Sequence, residues 1–473
     1  MMIKRPLLLL ALVFAFTIKL SAQNLPVKTT WEGTLTGVRL ILKLENDSLT
    51  HQASGAYDSP DQGALDLKVS SLKITNDSLS AYSTVIGGGF SGAFNKDKSE
   101  INGIWKQRGQ EFPFIFKRTL DKIEHLRPQT PKAPFPYEEQ KLIYFNQDKS
   151  IQYGATLTLP KSDKPIPVVI LITGSGQEDR DETLFGHKPF WIIADHLSRN
   201  GIAVLRVDDR GIGETTGDVM SATSADFAKD VLVGIDFLKT RKEIDVHQIG
   251  LVGHSEGGMI GPLVAVQSKD VAFIVSLAGV GVRGMDITNK QMNDAYVKIG
   301  FNQEEIGRMQ ELTDRMVRLG DEYPDEGEFR SAFGKSFAAW KAKQSPEFLK
   351  KAALTGGDSD KNIDAMATRF FLPWTRYFMK YDPATTVGKL KVPFLAMNGG
   401  KDVQVSAKEN LAGFQRLLTQ AGNKDFKIVL LPDLNHLFQT AKTGAVSEYM
   451  TIEETFSPEA LKVMTDWIKL HIN

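Results

Sequence analysis

The sequence predicts an α/β fold with a mostly parallel sheet and a helical insertion, preceded by a small antiparallel β-domain of barrel or sandwich type. Short alternating segments, separated by turn clusters, fill residues 31–118, and such closely spaced strands are typical of antiparallel barrels and sandwiches. After residue 137, apolar runs of strand length alternate with amphipathic helical patterns. That alternation indicates parallel strands covered by helices on both faces of a sheet.

The domain bounds follow from these changes of pattern. A chain of 473 residues is too long for one ordinary domain. Four prolines between residues 128 and 136 predict a stiff spacer. We therefore predict a β-domain at 23–120, a Pro-rich linker at 121–136 and an α/β domain at 137–473.

Within the α/β domain, the alternation of strands and helices stops after a strand that ends near Ala278. The stretch from about 285 to 384 is rich in Lys, Glu, Met, Ala and Arg at helical spacing and has no clear strand pattern. It predicts a helical cap inserted between two strands of the sheet.

The N-terminus has the pattern of a signal peptide at 1–22. Lys4 and Arg5 precede a short apolar run, and the small residues Ser21 and Ala22 suit cleavage after residue 22. The apolar run is shorter than the roughly 20 residues that a membrane-spanning helix needs. We expect export to the periplasm or the medium, without stable membrane insertion.

Composition excludes several classes of function. Lys and Arg together number 57, as do Asp and Glu, and no long basic run is present, which argues against a nucleic-acid partner. Cysteine is absent, so the chain has no thiol nucleophile and no cysteine zinc site.

The segment Gly-His-Ser-Glu-Gly at 253–257 matches the Gly-x-Ser-x-Gly nucleophile elbow. An apolar strand at Ile249–Gly253 precedes it and a helical pattern follows, which is the context that the elbow requires. Ser255 is therefore the predicted nucleophile. The alternative is a glycine-rich strand–helix turn with an inert serine.

A serine nucleophile needs a base, and in this arrangement the base follows it in the chain. Only two of the eight histidines do so. His436 comes directly after a predicted strand at 427–431, where such sites form, whereas His471 lies near the end of a terminal helix. We predict His436 as the base.

The orienting acid should follow the preceding strand of the sheet. Asp402 is the first carboxylate after the strand at 393–398. The alternative role for Asp402 is an N-cap of the helix that begins near Ser406. Asp433 precedes His436 on the same tight turn and is the weaker candidate.

These residues resemble the α/β-hydrolase superfamily from about Tyr137 to the C-terminus, and within it secreted bacterial carboxylesterases. Asp-Asp-Arg-Gly-Ile-Gly at 208–213 is similar to the Asp-x-Arg-Gly-x-Gly run of those enzymes. The resemblance implies hydrolysis of a small-molecule ester through an acyl-enzyme, with no cofactor and no metal. The same triad would also serve a serine peptidase or an acyl-thioesterase, and a glycan-binding protein with a vestigial hydrolase fold is the alternative outside the enzymes.

The chain departs from the family where the oxyanion hole is built. Thr-Gly-Ser-Gly-Gln at 173–177 stands where relatives often carry His-Gly. By its place after the nucleophile, the Glu256 backbone N–H should be the first donor. Ser175 or Gln177 would supply the second, and the sequence leaves the choice open. The charged run that follows at 178–182 is expected to be a solvated loop.

Aromatic residues are concentrated near the end of the predicted cap: Phe370, Phe371, Trp374, Tyr377 and Phe378. Helical spacing predicts that Phe370 shares a face with Trp374, and Phe371 with Phe378. Such a stripe either pins the cap to the core or lines an apolar acyl pocket. The candidate pocket residues are Phe371, Trp374 and Phe378.

Overall fold

The computed structural model describes residues 28–35, 37–46, 53–59, 64–107, 109–119, 127–355 and 357–472. The chain forms two compact units, residues 1–124 and 125–473. The predicted signal peptide lies outside the described residues, so export stays a prediction.

The N-terminal unit is an antiparallel sheet, as predicted. Its strands are β1 (Lys28–Leu35), β2 (Val38–Asn46), β3 (Ala53–Ser59), β4 (Ala64–Lys68), β5 (Ser71–Ile74), β6 (Ser78–Ser83), β7 (Gly88–Phe94), β8 (Glu100–Gln107) and β9 (Gln110–Thr119), in the order β4-β3-β2-β1-β9-β8-β7-β6-β5. The Val69 N–H bonds to Gly55 and the Ser70 N–H bonds to Tyr82, so the segment that contains β4 and β5 joins both edges of the sheet. The sheet thus curls into a barrel, which removes exposed edges.

The second unit is built on one eight-stranded sheet. Its strands are β10 (Tyr137–Phe145), β11 (Gln152–Pro160), β12 (Ile166–Ile172), β13 (Ala203–Val207), β14 (Ile244–His254), β15 (Val271–Leu277), β16 (Phe394–Gly399) and β17 (Phe426–Leu431), in the order β10-β11-β13-β12-β14-β15-β16-β17. The β10–β11 and β11–β13 pairs are antiparallel, and every pair from β13 to β17 is parallel. The mostly parallel sheet is confirmed.

Helices follow the strands as the predicted alternation requires. In chain order they are α1 (Pro189–Arg199), α2 (Ser224–Lys239), α3 (Gly257–Ala265), α4 (Gly284–Lys298), α5 (Gln303–Glu322), α6 (Glu326–Lys341), α7 (Pro346–Lys351), α8 (Gly357–Phe371), α9 (Pro373–Lys380), α10 (Ala407–Ala421) and α11 (Pro458–Lys469). Apolar side chains of the sheet form two buried clusters with these helices, one with α2, α3 and α10 and one with α1 and α11. None of the described helices is both long and apolar enough to cross a membrane.

Helices α4 to α9 form the predicted cap between β15 and β16, with a buried core of their own. The predicted face-sharing of the aromatic pairs is wrong. Pro373 begins a new helix, and Leu372 before it has extended backbone, because a residue that precedes proline is disfavoured in the helical region. Phe371 and Phe378 therefore lie on different helices, and Trp374 stacks on Phe378 instead, with ring centroids 5.2 Å apart.

Candidate active site

Ser255 lies in the sharp turn between β14 and α3, with a φ of +53°. A non-glycine residue in this left-handed region is uncommon, and it is typical of a nucleophile elbow. The flanking glycines permit the turn: a Cβ on Gly253 would lie 2.0 Å from the carbonyl oxygen of Gly257. The Ser255 N–H donates to the Leu277 carbonyl at 2.8 Å, which ties the turn to β15.

His436 and Asp402 lie on the loops that follow the neighbouring strands β17 and β16. His436 Nδ1 is 2.7 Å from Asp402 Oδ2, and both side chains are buried. The other carboxylate oxygen, Oδ1, accepts the N–H groups of Gln404 and Val405, each at 2.8 Å. Three hydrogen bonds thus fix the orientation of the carboxylate toward the imidazole. Ser406, not Asp402, occupies the N-cap position of α10.

The two loops approach each other closely because the sequence supplies glycine at the end of β16. A Cβ on Gly399 would lie 2.2 Å from the Leu434 carbonyl oxygen, and that oxygen accepts the Lys401 N–H at 2.9 Å. The Asn435 side chain then accepts the N–H groups of Leu437 and Gln439, which folds the loop tightly around His436.

Asp433 and His471, the other candidates for the acid and the base, have other partners. The Asp433 side chain is exposed and pairs with Lys401 at 3.1 Å. The His471 ring contacts the Trp467 carbonyl and Asp425 near the end of α11.

Gly174 lies beside Ser255, since a Cβ built on it would be 3.5 Å from Ser255 Cβ. Its N–H donates to Glu178 Oε2 at 3.0 Å and to Glu182 Oε1 at 3.1 Å, so it is already engaged. Within the described ranges, the backbone N–H groups of Glu256 and Ser175 have no protein acceptor.

The charged run at 178–182 is not the solvated loop that the sequence suggested. Glu182 is 3% exposed, Arg180 pairs with Asp208 at 2.9 Å, and Asp181 pairs with the buried Arg206. The partners come from the end of β13 and the residue after it, so the run is an ion-paired support for the loop that carries Gly174 and Ser175. The first Asp of the 208–213 motif belongs to this support.

Three acids near Ser255 have perturbed side chains that the sequence did not indicate: Asp209, Glu178 and Glu256, the last of which was predicted only as a backbone donor. Burial raises the pKa of Asp209 to about 7, and burial raises the pKa of Glu256 to about 7. Burial, and then the charges of Glu182 and Asp209, raise the pKa of Glu178 well above its ordinary value. Perturbed acids of this kind cluster at functional sites, although ion-pair networks produce them too.

A cap residue reaches the nucleophile turn through Glu256. Glu256 Oε1 accepts the Trp374 indole N–H at 2.8 Å and the Ser224 hydroxyl at 2.6 Å, while Oε2 is buried without a partner among the described residues. Trp374 and Phe378 also line a cavity of about 350 Å³ in the cap, together with Met292, Tyr296, Met316 and Phe370. Phe371 instead packs on Phe329 in the cap core, with centroids 4.8 Å apart.

The described part of the chain contains no group of three or more His, Asp or Glu side chains placed to hold a metal ion. The arrangement that it does contain, a serine in a strained turn beside a buried imidazole–carboxylate pair, suits acyl transfer.

Comparison with known proteins gives matches of the same class. A family described as serine aminopeptidase S33 matches residues 190–320. Esterase EstD of Thermotoga maritima is 27% identical over 356 residues, which are 75% of this chain and 73% of that protein. Among solved structures, the α/β hydrolase GrgF of a Penicillium species is 15% identical with a TM-score of 0.43, and covers 71% of this chain and 99% of its own. A Pyrococcus furiosus esterase is 12% identical with a TM-score of 0.43, and the match covers 73% of this chain and 97% of the esterase.

The family model and the esterase relative together indicate that the chain is an enzyme of the hydrolase type. The order of its strands and the turn at Ser255 are those of the α/β-hydrolase fold.

Proposed function

We propose that this protein is a serine hydrolase that cleaves small-molecule carboxylic esters through an acyl-enzyme intermediate. Ser255 is the nucleophile, His436 the general base and Asp402 the residue that orients it. The 2.7 Å contact between His436 Nδ1 and Asp402 Oδ2, on the loops beside the Ser255 turn, carries the proposal. A relative that is named an esterase supports the choice of an ester substrate.

The chemistry follows from the orientation of the imidazole. With Nδ1–H donating to Asp402, Nε2 is left to accept the Ser255 hydroxyl proton as Oγ attacks the acyl carbon. The protonated His436 then gives this proton to the departing alkoxide, which leaves as the alcohol. In the second half, water loses a proton to His436 and attacks the acyl-enzyme, and the carboxylic acid is released with Ser255 restored.

The tetrahedral oxyanion needs at least two N–H donors. Glu256 supplies the first, from the N-terminus of α3. For the second, Ser175 is favoured over Gln177. Gly174 lies beside Ser255 but its own N–H is engaged, and Ser175 is the next residue, whereas Gln177 is three residues away from Gly174.

The lining of the cap cavity favours substrates whose acyl group is apolar. Aromatic and methionine side chains line it, and its size is within the usual range for small-molecule sites. Trp374 contacts both this cavity and the Glu256 side chain, which places the indole between the cap and the nucleophile turn.

A serine aminopeptidase is the second candidate, because the matching family is described by that activity. Such an enzyme has to bind the substrate's ammonium group with a free carboxylate. Of the carboxylates around the Ser255 turn, Glu178 and Glu182 accept the Gly174 N–H, and Glu256 Oε1 accepts from Ser224 and Trp374. The unpartnered Glu256 Oε2 is buried. These contacts favour the ester over the aminoacyl substrate.

The test is a substrate panel with p-nitrophenyl esters, acyl thioesters and aminoacyl p-nitroanilides, with Ser255→Ala as the control. We expect kcat/KM for the esters to exceed that for the anilides, and no turnover above background in the variant. Faster anilide cleavage would replace the ester proposal with the peptidase, and faster thioester cleavage would replace it with an acyl-thioesterase.

The location of the enzyme is part of the same proposal. The pattern at residues 1–22 supports export, and N-terminal sequencing of protein from the periplasm or medium tests it. A first residue near Gln23 is expected. A chain that keeps Met1 and stays in the cytoplasm would contradict export.

A further inference from the structure

A buried carboxylate–imidazole pair lies beside the site and has no part in the ester hydrolysis described above. Glu182 is 3% exposed and His254 is 6% exposed. His254 Nδ1 lies 2.8 Å from Glu182 Oε1. His254 directly precedes Ser255, and Glu182 belongs to the ion-paired run behind the loop that carries Gly174.

The pair joins two loops that are distant in the sequence. On one side, Glu182 Oε1 accepts the Gly174 N–H at 3.1 Å. On the other side, His254 Nε2 lies 2.9 Å from the backbone oxygen of His436. Because a carbonyl only accepts, Nε2 carries a proton. One chain of hydrogen bonds therefore runs from Gly174 through Glu182 and His254 to His436.

The electrostatics strengthen this chain. Burial by itself would lower the pKa of His254, but the adjacent Glu182, the His436 backbone oxygen and the charge of Asp402 together outweigh it, and the pKa of His254 is raised above its ordinary value. The raised pKa favours the imidazolium form of His254, and hydrogen bonds from a charged donor are shorter and stronger than neutral ones.

Two further observations indicate a role beyond filling space. Glu182 has a φ of +53°, and an L-residue is held in that region only where its surroundings determine it strongly. The His254 and His436 rings also contact each other, with centroids 4.8 Å apart, so His254 supports the base through its ring as well as through its N–H.

We propose that Glu182 and His254 are positioning residues that hold two loops in register across Ser255. One loop carries Gly174 and Ser175, and the other carries His436. The inference rests on the proposed roles of Ser255 and His436. Neither residue touches the reacting atoms. They act through Gly174, which lies beside the nucleophile, and through the backbone of the base. Their loss should affect the transition state more than substrate binding, because a displacement of about 1 Å at a reacting group can cost 10²-fold in rate.

The experiment compares His254→Leu, His254→Gln and Glu182→Gln in the full chain, with a p-nitrophenyl ester as substrate. We expect kcat to fall about 10- to 100-fold in His254→Leu with KM changed less than about 2-fold. His254→Gln should recover much of the loss, because its amide N–H can still donate to the His436 carbonyl. Glu182→Gln should lie between the wild type and His254→Leu.

A double variant tests whether the two residues act as one unit. Glu182→Gln combined with His254→Leu should be no slower than His254→Leu alone, because links of one chain are not additive. The control His196→Gln changes a half-buried histidine on α1 and should leave kcat unchanged. Thermal unfolding of each variant separates slow catalysis from loss of fold.

Wild-type kcat in His254→Leu, the same rate in His254→Gln as in His254→Leu, or additive losses in the double variant would overturn the inference. If His254→Leu does not fold, Glu182→Gln decides the question, and wild-type kcat in that variant overturns it. Ser255→Ala is measured in parallel. An active Ser255→Ala enzyme refutes the proposed function itself, whereas an inactive Ser255→Ala with a fully active His254→Leu refutes only the positioning role.

Discussion

The buried side chain of Glu256, the residue after Ser255, makes the stability of the α/β unit depend on pH. Glu256 has an ordinary pKa near 4.5 and a folded-state pKa of about 7 because its side chain is buried. A carboxyl with a raised pKa stabilises the fold fully below its unfolded pKa, and this contribution is lost as pH rises through the folded pKa. Between pH 5 and pH 8 the loss amounts to about 2 to 3 kcal/mol.

Glu256→Gln removes this ionisation and keeps the shape of the side chain. Its amide oxygen can still accept from Trp374 and Ser224, and its NH₂ group takes the position of the unpartnered Oε2. Urea unfolding of the wild type and the variant at pH 5 and pH 8 measures the effect. The wild type should lose about 2 to 3 kcal/mol more than the variant across this range. Asp209, whose pKa burial also raises to about 7, should leave a decline of similar size in both proteins.

The reasoning is refuted if the two proteins lose the same free energy of unfolding between pH 5 and pH 8. It is also refuted if the wild type gains stability over that range relative to the variant. The unfolding transition of the α/β unit has to be followed by itself, because a chain of two compact units need not unfold in one step.

Three other predictions follow from the structure. Trp374→Ala and Phe378→Ala should shift acyl-chain preference in a series of esters, and Trp374→Ala should also lower the melting temperature because the buried Glu256 carboxylate loses its indole donor. Phe371→Ala should destabilise the cap and slow all esters alike. An unchanged chain-length preference in all three variants would contradict a pocket role for the cap. Gly253→Ala should yield little folded enzyme, because its methyl group would meet the Gly257 carbonyl, and a stable, active variant would contradict the turn geometry. The fragment from residue 125 onward is the second compact unit and keeps the bonds of Arg127 and Gln129 to the segment 450–456. It should fold and hydrolyse activated esters, and an inactive folded fragment would contradict this expectation.

Periodicity was enough to predict the α/β sheet and the cap, because buried parallel strands read as continuous apolar runs. It was not enough for the β10–β11 hairpin. In β10, Glu138, Glu139 and Lys141 interrupt the apolar pattern, since this edge strand exposes much of one face. Pro373 marks the break between α8 and α9. The predicted pairing of the aromatic residues was wrong because it assumed one continuous helix across this proline.

The order of Ser255, Asp402 and His436 along the chain led to the candidate site, and the structure brings the last two within hydrogen-bonding distance. The burial of the acids in the run at 178–182 could not be predicted from the sequence in the same way. Whether a run of charges is solvated or buried depends on partners elsewhere in the chain, and Arg206 and Asp208 reach the run at 178–182 only through the fold.

The central claim is that Ser255 is an activated nucleophile, and covalent labelling with a fluorophosphonate probe tests it most directly. We expect the full chain to be labelled at Ser255 with simultaneous loss of esterase activity, and Ser255→Ala to resist labelling. His436→Ala should react far more slowly, because the hydroxyl then has no base, and should lose about 10⁴- to 10⁶-fold in turnover, with a smaller loss in Asp402→Asn. Labelling at another residue, or an unlabelled wild type that still hydrolyses esters, would contradict the account.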